Sequence, residues 1–310
     1  LEGYATPLDQ LPVEGRVRRY VPASSPPAIA FPPRSAVLLP PLSRPELTQW
    51  IVRHAPALEI DSASVDDRIG ELVWSAAEAP AIGVDPDRPA AYVRAAYAHF
   101  AGRVRLQLVY TFWFPARPAA GPFDILAGRL DGILWRVTLD ESGAPLVYDS
   151  IHPCGCWHLF FPTERVTIRP QPATFDEGLF APQWAPSLAP GERIVLRVAA
   201  RTHELQRVFA QPAPLAGDAA FALVDERALL TLAWPAGGTR SAYDSGGFVP
   251  GTERAERWLY WPMGIASAGQ MRQWGRHATA FVGRRHFDDA GLLDLYFTPR
   301  AAGLPAAEQR

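Results

Sequence analysis

Residues 103–114 read Arg-Val-Arg-Leu-Gln-Leu-Val-Tyr-Thr-Phe-Trp-Phe, the strongest strand signal in the chain. Every second side chain from Val104 to Phe114 is apolar or aromatic, whereas arginine and glutamine side chains begin the other face. Successive side chains of a strand point to opposite sides of a sheet, so this period of two predicts a long β-strand.

The chain that follows predicts more strands. Residues 133–139 alternate in the same way, Asp-Glu-Ser-Gly at 140–143 forms a turn, and residues 146–151 return as the hairpin partner. The further candidate strands are residues 193–199, 204–209, 221–224, 228–234, 258–261 and 278–282. Short strands separated by proline and glycine favour an α+β fold that is mainly antiparallel β, as a sandwich or a barrel-like sheet, with a few marginal helices.

Two segments predict helices. Ser43 as N-cap and Glu46 three residues later form a capping box, and this helix should run to about His54 and stop before Pro56. A second helix is predicted over residues 88–101, with Asp87 as its N-cap and Gly102 just past its end. Its buried stripe would consist of Tyr92, Ala95, Ala96, His99 and Phe100.

Prolines divide the chain into regions. Ten of the 32 prolines lie in residues 1–45, where they fix φ and remove backbone donors, so this segment should hold neither a central strand nor a long helix. We expect an extended proline-rich N-terminal arm that lies on the body or contacts a protein partner or a second copy of the chain. Residues 46–300 then form one compact mainly-β domain, or two fused β-layers over about 46–190 and 191–300. Residues 301–310 are expected to form a flexible tail.

Composition excludes several classes of protein. The 310 residues are 48% hydrophobic with a net charge of −2, too apolar and too balanced for a disordered chain. No run approaches 18 consecutive apolar residues, which predicts no transmembrane segment. The small net charge predicts no nucleic-acid partner. Lysine is absent, which excludes Schiff-base chemistry and a P-loop lysine.

The start of the chain bears on its location. The sequence begins at Leu1, and residues 1–20 contain no apolar core of a signal peptide. A cleaved export signal fits this start and predicts a periplasmic or secreted protein, and a cytoplasmic location is the alternative.

The candidate functional residues are concentrated at 151–161, Ile-His-Pro-Cys-Gly-Cys-Trp-His-Leu-Phe-Phe. The pattern H-x-C-x-C-x-H contains His152, Cys154, Cys156 and His158, which are both cysteines and two of the seven histidines of the chain. Alternate residues of a strand face one side, so the four side chains could project together. Proline and glycine between them could equally bend the segment into a tight loop.

The first interpretation of this cluster is a metal site. Thiolate and imidazole suit zinc or copper, with zinc favoured because it is the commoner metal at Cys/His sites. On a straight strand the four side chains would spread over roughly 20 Å. One metal ion would therefore bind only two or three of them, and its other ligands would come from distant parts of the chain. The candidate distant ligands are His203, His277 and His286, and Asp149 is the candidate to orient a ligand. The predicted function is then a soluble metal-binding envelope protein, or a metalloenzyme if one position stays open.

Two other interpretations remain. Cys154 and Cys156 could form a small, strained disulfide with flanking histidines that lower a thiol pKa, as in a thiol–disulfide redox protein. Alternatively, the loop is structural, and the protein is a non-catalytic assembly subunit or a glycan- or protein-binding subunit. The aromatic clusters at 110–114 and 258–261 would then be a packed core or a stacking platform. The acids Asp131, Asp149, Asp244 and Glu253 are candidates for an acid–base pair, but the sequence brings no two of them together.

Overall fold

A computed structural model describes residues 2–23, 43–76, 79–170, 178–276 and 286–300. It confirms the α+β class with mainly antiparallel strands. Its strands are β1 Arg16–Pro22, β2 Ala57–Ser62, β3 Glu71–Trp74, β4 Ile82–Asp85, β5 Ala90–Phe100, β6 Arg103–Arg117, β7 Gly128–Leu139, β8 Pro145–Ile151, β9 Leu159–Pro162, β10 Val166–Ile168, β11 Glu192–Val198, β12 Leu205–Pro212, β13 Ala219–Asp225, β14 Leu232–Ala233, β15 Thr239–Arg240 and β16 Phe297–Pro299.

The helices of the described residues are few and short. The α-helices are α1 Glu2–Ala5, α2 Arg44–His54, α3 Arg257–Tyr260 and α4 Leu292–Tyr296, and the 3₁₀ turns are Leu8–Gln10, Val65–Asp67, Glu226–Leu230 and Trp261–Met263. None of these helices has the length and apolar run that would cross a bilayer.

Ten strands form one mixed sheet in the order β12-β11-β2-β1-β13-β5-β6-β7-β8-β9. Three neighbouring pairs are parallel, namely β11 with β2, β1 with β13 and β13 with β5, and the other six pairs are antiparallel. Strands from residues 46–190 and from residues 191–300 therefore alternate along the sheet.

The sheet curls, so that one face of all ten strands meets in a single core. Every strand of the sheet contributes buried apolar side chains to this core. The two edge strands also approach a common segment, because Ala185 N–H donates to the carbonyl of Pro162 on β9 and Gln183 hydrogen-bonds the backbone of Val208 on β12. Of the two predicted arrangements, this corresponds to the barrel-like one.

The predicted strand at 103–114 is confirmed as β6, the longest strand. Leu108, Tyr110, Phe112 and Phe114 enter the core inside the curl. The opposite face is buried as well, because outer loops cover Trp113 and its neighbours. The predicted hairpin partners over 133–151 are confirmed as β7 and β8.

Helix α2 begins and ends where the capping signals predict. Ser43 N–H donates to Glu46 Oε2 at 2.7 Å, and Glu46 N–H donates to Ser43 Oγ at 3.4 Å. This reciprocal pair satisfies two of the four donors that a helix start leaves open. The helix packs Leu47 and Ile51 on the core.

The helix predicted over 88–101 is wrong, because this segment is strand β5. The spacing of its small and aromatic residues satisfies a helical stripe and one face of a strand equally well. Pairing decides the matter: β5 lies between β13 and β6 and forms hydrogen bonds to both. Gly102, expected to end a helix, instead forms the tight turn to β6 together with Ala101, both at positive φ.

The exclusion of a central strand from residues 1–45 is also wrong. Strand β1 lies inside the sheet, paired with β2 on one side and β13 on the other. Proline occurs only at its last position, Pro22, and the preceding proline is Pro12, so the ladder keeps the backbone donors it needs. Residues 24–42 of the predicted arm and the predicted tail 301–310 lie outside the described residues.

Two shorter predictions differ too. Residues 258–261, predicted as a strand, form α3 and the start of the next 3₁₀ turn, and residues 228–234 begin in a 3₁₀ turn and contain only the two-residue strand β14. Both segments are short apolar runs, and the sequence of such a run does not distinguish a strand from a helix unless a partner strand is known. The candidate strand 278–282 lies outside the described residues.

The interior position of β1 predicts a large effect of Tyr20→Ala. Tyr20 is 1% exposed in the core, so its truncation should lower the free energy of unfolding by about 3–5 kcal/mol, as for other large aromatic side chains. Val17 lies on the same strand and is 38% exposed, so Val17→Ala should cost less than about 1 kcal/mol. Urea unfolding measures both, and equal small losses would contradict an interior β1.

Candidate functional site

The cysteine cluster forms a tight turn at the end of β8. His152 N–H donates to the carbonyl of Cys156 at 2.9 Å, and Gly155 N–H donates back to the carbonyl of His152 at 2.8 Å. Gly155 has φ near +92°, which glycine adopts without strain. This turn replaces the straight strand that would have spread the four side chains apart.

The turn places the two free thiols beside each other, with Cys154 buried and Cys156 partly exposed. The hydrogen bond from Cys156, assisted by the nearby His152 and Arg254, lowers the pKa of Cys154 although burial opposes this. The same hydrogen bond and burial raise the pKa of Cys156 well above that of an ordinary thiol. The pair therefore favours a thiolate on Cys154 and a proton on Cys156.

A shallow cleft opens at the thiols. Its lining residues are Arg117, Leu126, Asp131, His152, Cys154, Cys156, Trp157, Arg254 and Glu256. These residues come from β6, β7, the cysteine turn and the segment before α3, so the cleft exists only when the sheet and its outer loops are assembled.

A chain of buried ionisable groups runs from His152 away from the cleft. His152 Nδ1 lies 3.2 Å from Asp131 Oδ1, and the other oxygen of Asp131 lies 2.9 Å from His203 Nδ1. His203 Nε2 then faces Asp67 Oδ1 at 3.4 Å, within ion-pair range. The ring of His203 stacks on Phe114 of β6, with 3.8 Å between ring centroids.

Asp131, Asp67 and His203 stabilise one another in their charged forms. Burial alone would raise the pKa of Asp131, but His152 and His203 hold it well below its usual range. Burial would likewise raise the pKa of Asp67, but His203 and backbone donors lower it to about 2. Burial opposes the charge on His203, yet the two carboxylates raise the pKa of this histidine.

Arg254 ties the outer loops to the cleft. Its guanidinium donates to the carbonyls of Leu130 at 2.7 Å and Gly269 at 3.2 Å, and also to that of Leu126. It also lies 3.9 Å from Asp131 Oδ1. A buried cation next to the thiols favours a thiolate there.

Glu256 is the second acid of the cleft, besides Asp131. Burial, and then the negative charge that Cys154 carries as a thiolate, raise the pKa of Glu256 to about 7. Its carboxyl group packs against the Cα of Gly269, where a Cβ would overlap the carboxyl oxygen. A carboxyl group that titrates near neutrality beside two thiols can accept or donate a proton during thiol chemistry.

His158 belongs to a different cluster. Its Nε2 lies 2.9 Å from Asp149 Oδ2, and Asp149 also accepts both hydrogen bonds of a bidentate pair with Arg136. The Arg136 guanidinium lies over the ring of Phe287, 3.8 Å from its centroid. Burial opposes the charge of Asp149, but Arg136 and His158 lower its pKa. Asp149 thus orients His158 in a buried ion pair outside the thiol cleft, and its predicted role towards a metal ligand stays a prediction.

The remaining predicted ligands are placed as follows. His203 joins the chain behind His152, whereas His286 lies near the surface with its Nδ1 3.8 Å from Asp288. His277 lies outside the described residues. Within the described ranges no three His, Cys, Asp or Glu side chains are arranged to hold a metal ion.

Several site residues were not singled out by the sequence analysis. They are Asp67, Arg254 and Glu256, which are distant along the chain and carry no motif. The only local signal is at Asp67, which accepts hydrogen bonds from the Ala63 and Ser64 backbone in a small capping box. Comparison of the chain with protein-family models, curated proteins and solved structures found no match.

The buried ion pairs of Asp131 predict a pH-dependent stability. Because the native pKa of Asp131 lies below the unfolded value of about 4, its stabilisation is present above about pH 4 and is lost as the pH falls towards the native pKa. Asp131→Asn should therefore lower the free energy of unfolding by on the order of 3 kcal/mol at pH 6. Between pH 4 and pH 3 the free energy of unfolding should fall less steeply in this variant than in the parent chain.

Urea unfolding between pH 3 and pH 7 measures this dependence. Asp9→Asn, which removes an exposed carboxylate, is the control and should follow the parent chain. Parallel curves for Asp131→Asn and the parent chain would contradict the role of the Asp131 ion pairs.

Proposed function

We propose that this protein carries out thiol–disulfide exchange through Cys154 and Cys156. The observation that carries the proposal is that two free thiols lie side by side at one cleft, where the neighbouring groups lower the pKa of Cys154 and so favour its thiolate. A thiolate is the nucleophile of this chemistry, and a neighbouring thiol can resolve the mixed disulfide.

The exchange balances without a further co-reactant. The Cys154 thiolate attacks one sulfur of a substrate disulfide, the substrate S–S bond breaks, and its other sulfur leaves with the electron pair and takes up a proton. Cys156 then loses its proton and attacks the sulfur of Cys154, which releases the second substrate thiolate. The substrate disulfide is reduced by two electrons, and the cysteine pair is oxidised to a disulfide.

The surrounding residues have distinct roles in this proposal. Arg254 and His152 stabilise the Cys154 thiolate, and Asp131 orients His152 through its Nδ1. Glu256 accepts the proton of Cys156, because its pKa of about 7 lets the carboxyl group exchange a proton near neutral pH.

The thiol pair predicts a specific effect of Cys156 on the titration of Cys154. In Cys156→Ala the hydrogen bond to the thiolate is lost, so the apparent pKa of Cys154 should rise by about one unit, as expected for one charge-assisted hydrogen bond. Cys156→Ser keeps a donor and should show a smaller rise. Iodoacetamide alkylation of Cys154 against pH, resolved by peptide mass spectrometry, measures it.

The same variants test the exchange itself. With oxidised glutathione, Cys156→Ser should stop at a single glutathione adduct on Cys154, and Cys154→Ser should form none. A parent chain whose two thiols stay unreactive towards alkylation and oxidised glutathione would overturn the proposed function.

Zinc binding is the second candidate, because His152, Cys154 and Cys156 are all ligand types and line one cleft, although a zinc ion would have to draw together side chains that are not arranged around one point in this structure. It predicts one equivalent of zinc in the purified protein, lost in Cys154→Ser, and protection of both thiols from alkylation by added zinc. A metal-free protein with freely reactive thiols would exclude it and favour exchange. Copper binding, partner binding through the N-terminal arm (residues 1–45) and a periplasmic or secreted location stay predictions.

A further inference from the structure

We propose that the apolar rim of the thiol cleft is a docking surface for a polypeptide that carries the substrate disulfide. The rim is defined as Phe123, Trp157, Trp258, Leu259 and Trp261. This inference rests on the proposed exchange function and names the substrate class of the same site.

The exposed aromatic side chains of the protein are concentrated at this rim. Phe123 is 91% exposed, Trp261 71%, Trp258 70% and Trp157 41%. Within the described residues the one other exposed phenylalanine or tryptophan is Phe180. Large apolar side chains that share an exposed surface mark an interaction site, and tryptophan is prominent among residues that dominate binding energy.

The rim is attached to the thiol turn at both ends. On one side, Glu256 in the cleft precedes α3, and its N–H donates at 3.2 Å to the carbonyl of Ile125, in the loop that carries Phe123. On the other side, Arg272 N–H donates at 3.1 Å to the carbonyl of Pro153, next to Cys154. The segment with both exposed tryptophans therefore begins and ends beside the nucleophile.

The segment is also uncharged over a long stretch. Residues 258–271 read Trp-Leu-Tyr-Trp-Pro-Met-Gly-Ile-Ala-Ser-Ala-Gly-Gln-Met, with no ionisable group except the tyrosine. The Arg272 guanidinium closes the segment by donating to the carbonyls of Ala266 at 2.7 Å and Ser267 at 2.9 Å. Arg272 at the end of the segment thus holds the backbone of residues 266–267, while the side chains of Trp258 and Trp261 are exposed to solvent.

The size of the cleft favours a macromolecular disulfide over a small one. The cleft encloses about 20 Å³, room for about one water molecule, whereas sites that enclose small ligands measure hundreds of Å³. A substrate must therefore gain its affinity outside the cleft, where Trp157 of the rim lines the opening and the other rim residues follow or precede the cleft residues Leu126 and Glu256 along the chain. A polypeptide with apolar side chains beside its disulfide matches this surface.

The test compares two disulfide peptides and one small disulfide. One peptide has leucine and phenylalanine beside its disulfide, the matched peptide has serine at those positions, and oxidised glutathione is the small disulfide. The full chain carries Trp258→Ala with Trp261→Ala. The control is Leu295→Ala, which truncates a 62% exposed side chain on α4, a helix that packs on β5 near its turn to β6, away from the Arg117 end of β6 at the cleft.

We expect the second-order rate constant for the single-turnover reaction of the reduced chain with the apolar peptide to fall on the order of tenfold to a hundredfold in the double variant, as for the loss of binding hot spots. The rates with oxidised glutathione and the serine peptide should stay unchanged, and Leu295→Ala should match the parent chain with all three disulfides. Thermal unfolding confirms that the variants are folded.

The other outcomes separate the two proposals. A parent chain that reduces none of the three disulfides would overturn the exchange function and the docking inference with it. Equal rates for the two peptides, or a double variant with unchanged rates, would overturn the docking inference alone. Tryptophan-dependent binding to phosphatidylcholine–phosphatidylglycerol vesicles with unchanged peptide rates would assign the rim to a lipid surface instead.

Discussion

The pairing of β6 with β7 is the constraint on which both the core and the site depend. Its register sets Phe114 opposite Asp131 and Trp113 opposite Gly132. Phe114 provides the stacking surface for His203, and Asp131 accepts hydrogen bonds from His203 and His152. Gly132 leaves room for the cysteine turn, because a Cβ there would lie 2.8 Å from Pro153. A shift of one residue would move Asp131 to the other face of the sheet.

The buried charges of the site are compatible with folding because each of them lies next to a group of opposite charge. A lone carboxylate in this position would be costly to desolvate, but Asp131 lies between two histidines and near Arg254, and His203 lies between two carboxylates. The Arg136–Asp149–His158 cluster follows the same rule beside β8. The first network ends at His152, which lines the thiol cleft, whereas the second lies in the core beside Phe287.

The proposed chemistry separates reactivity from recognition. Charged groups inside the cleft determine which sulfur is the thiolate, whereas the rim around it is apolar and exposed. The two parts are joined through the backbone contacts of Glu256 and Arg272. A rigid link of this kind lets docking energy hold a substrate disulfide near the nucleophile.

The sequence by itself determined those elements that are stabilised by contacts between residues close together in the chain. The alternation at 103–114 predicted β6, the Ser43–Glu46 pair predicted the start of α2, and the concentration of His152, Cys154 and Cys156 marked the cysteine turn. Only the tertiary structure decided that residues 90–100 are a strand and that β1 lies inside the sheet, because partner strands from distant parts of the chain supply their hydrogen bonds. The same holds for Asp67, His203, Arg254 and Glu256: their spacing along the chain carries no signal, and the curl of the sheet brings them around Asp131 and the thiols.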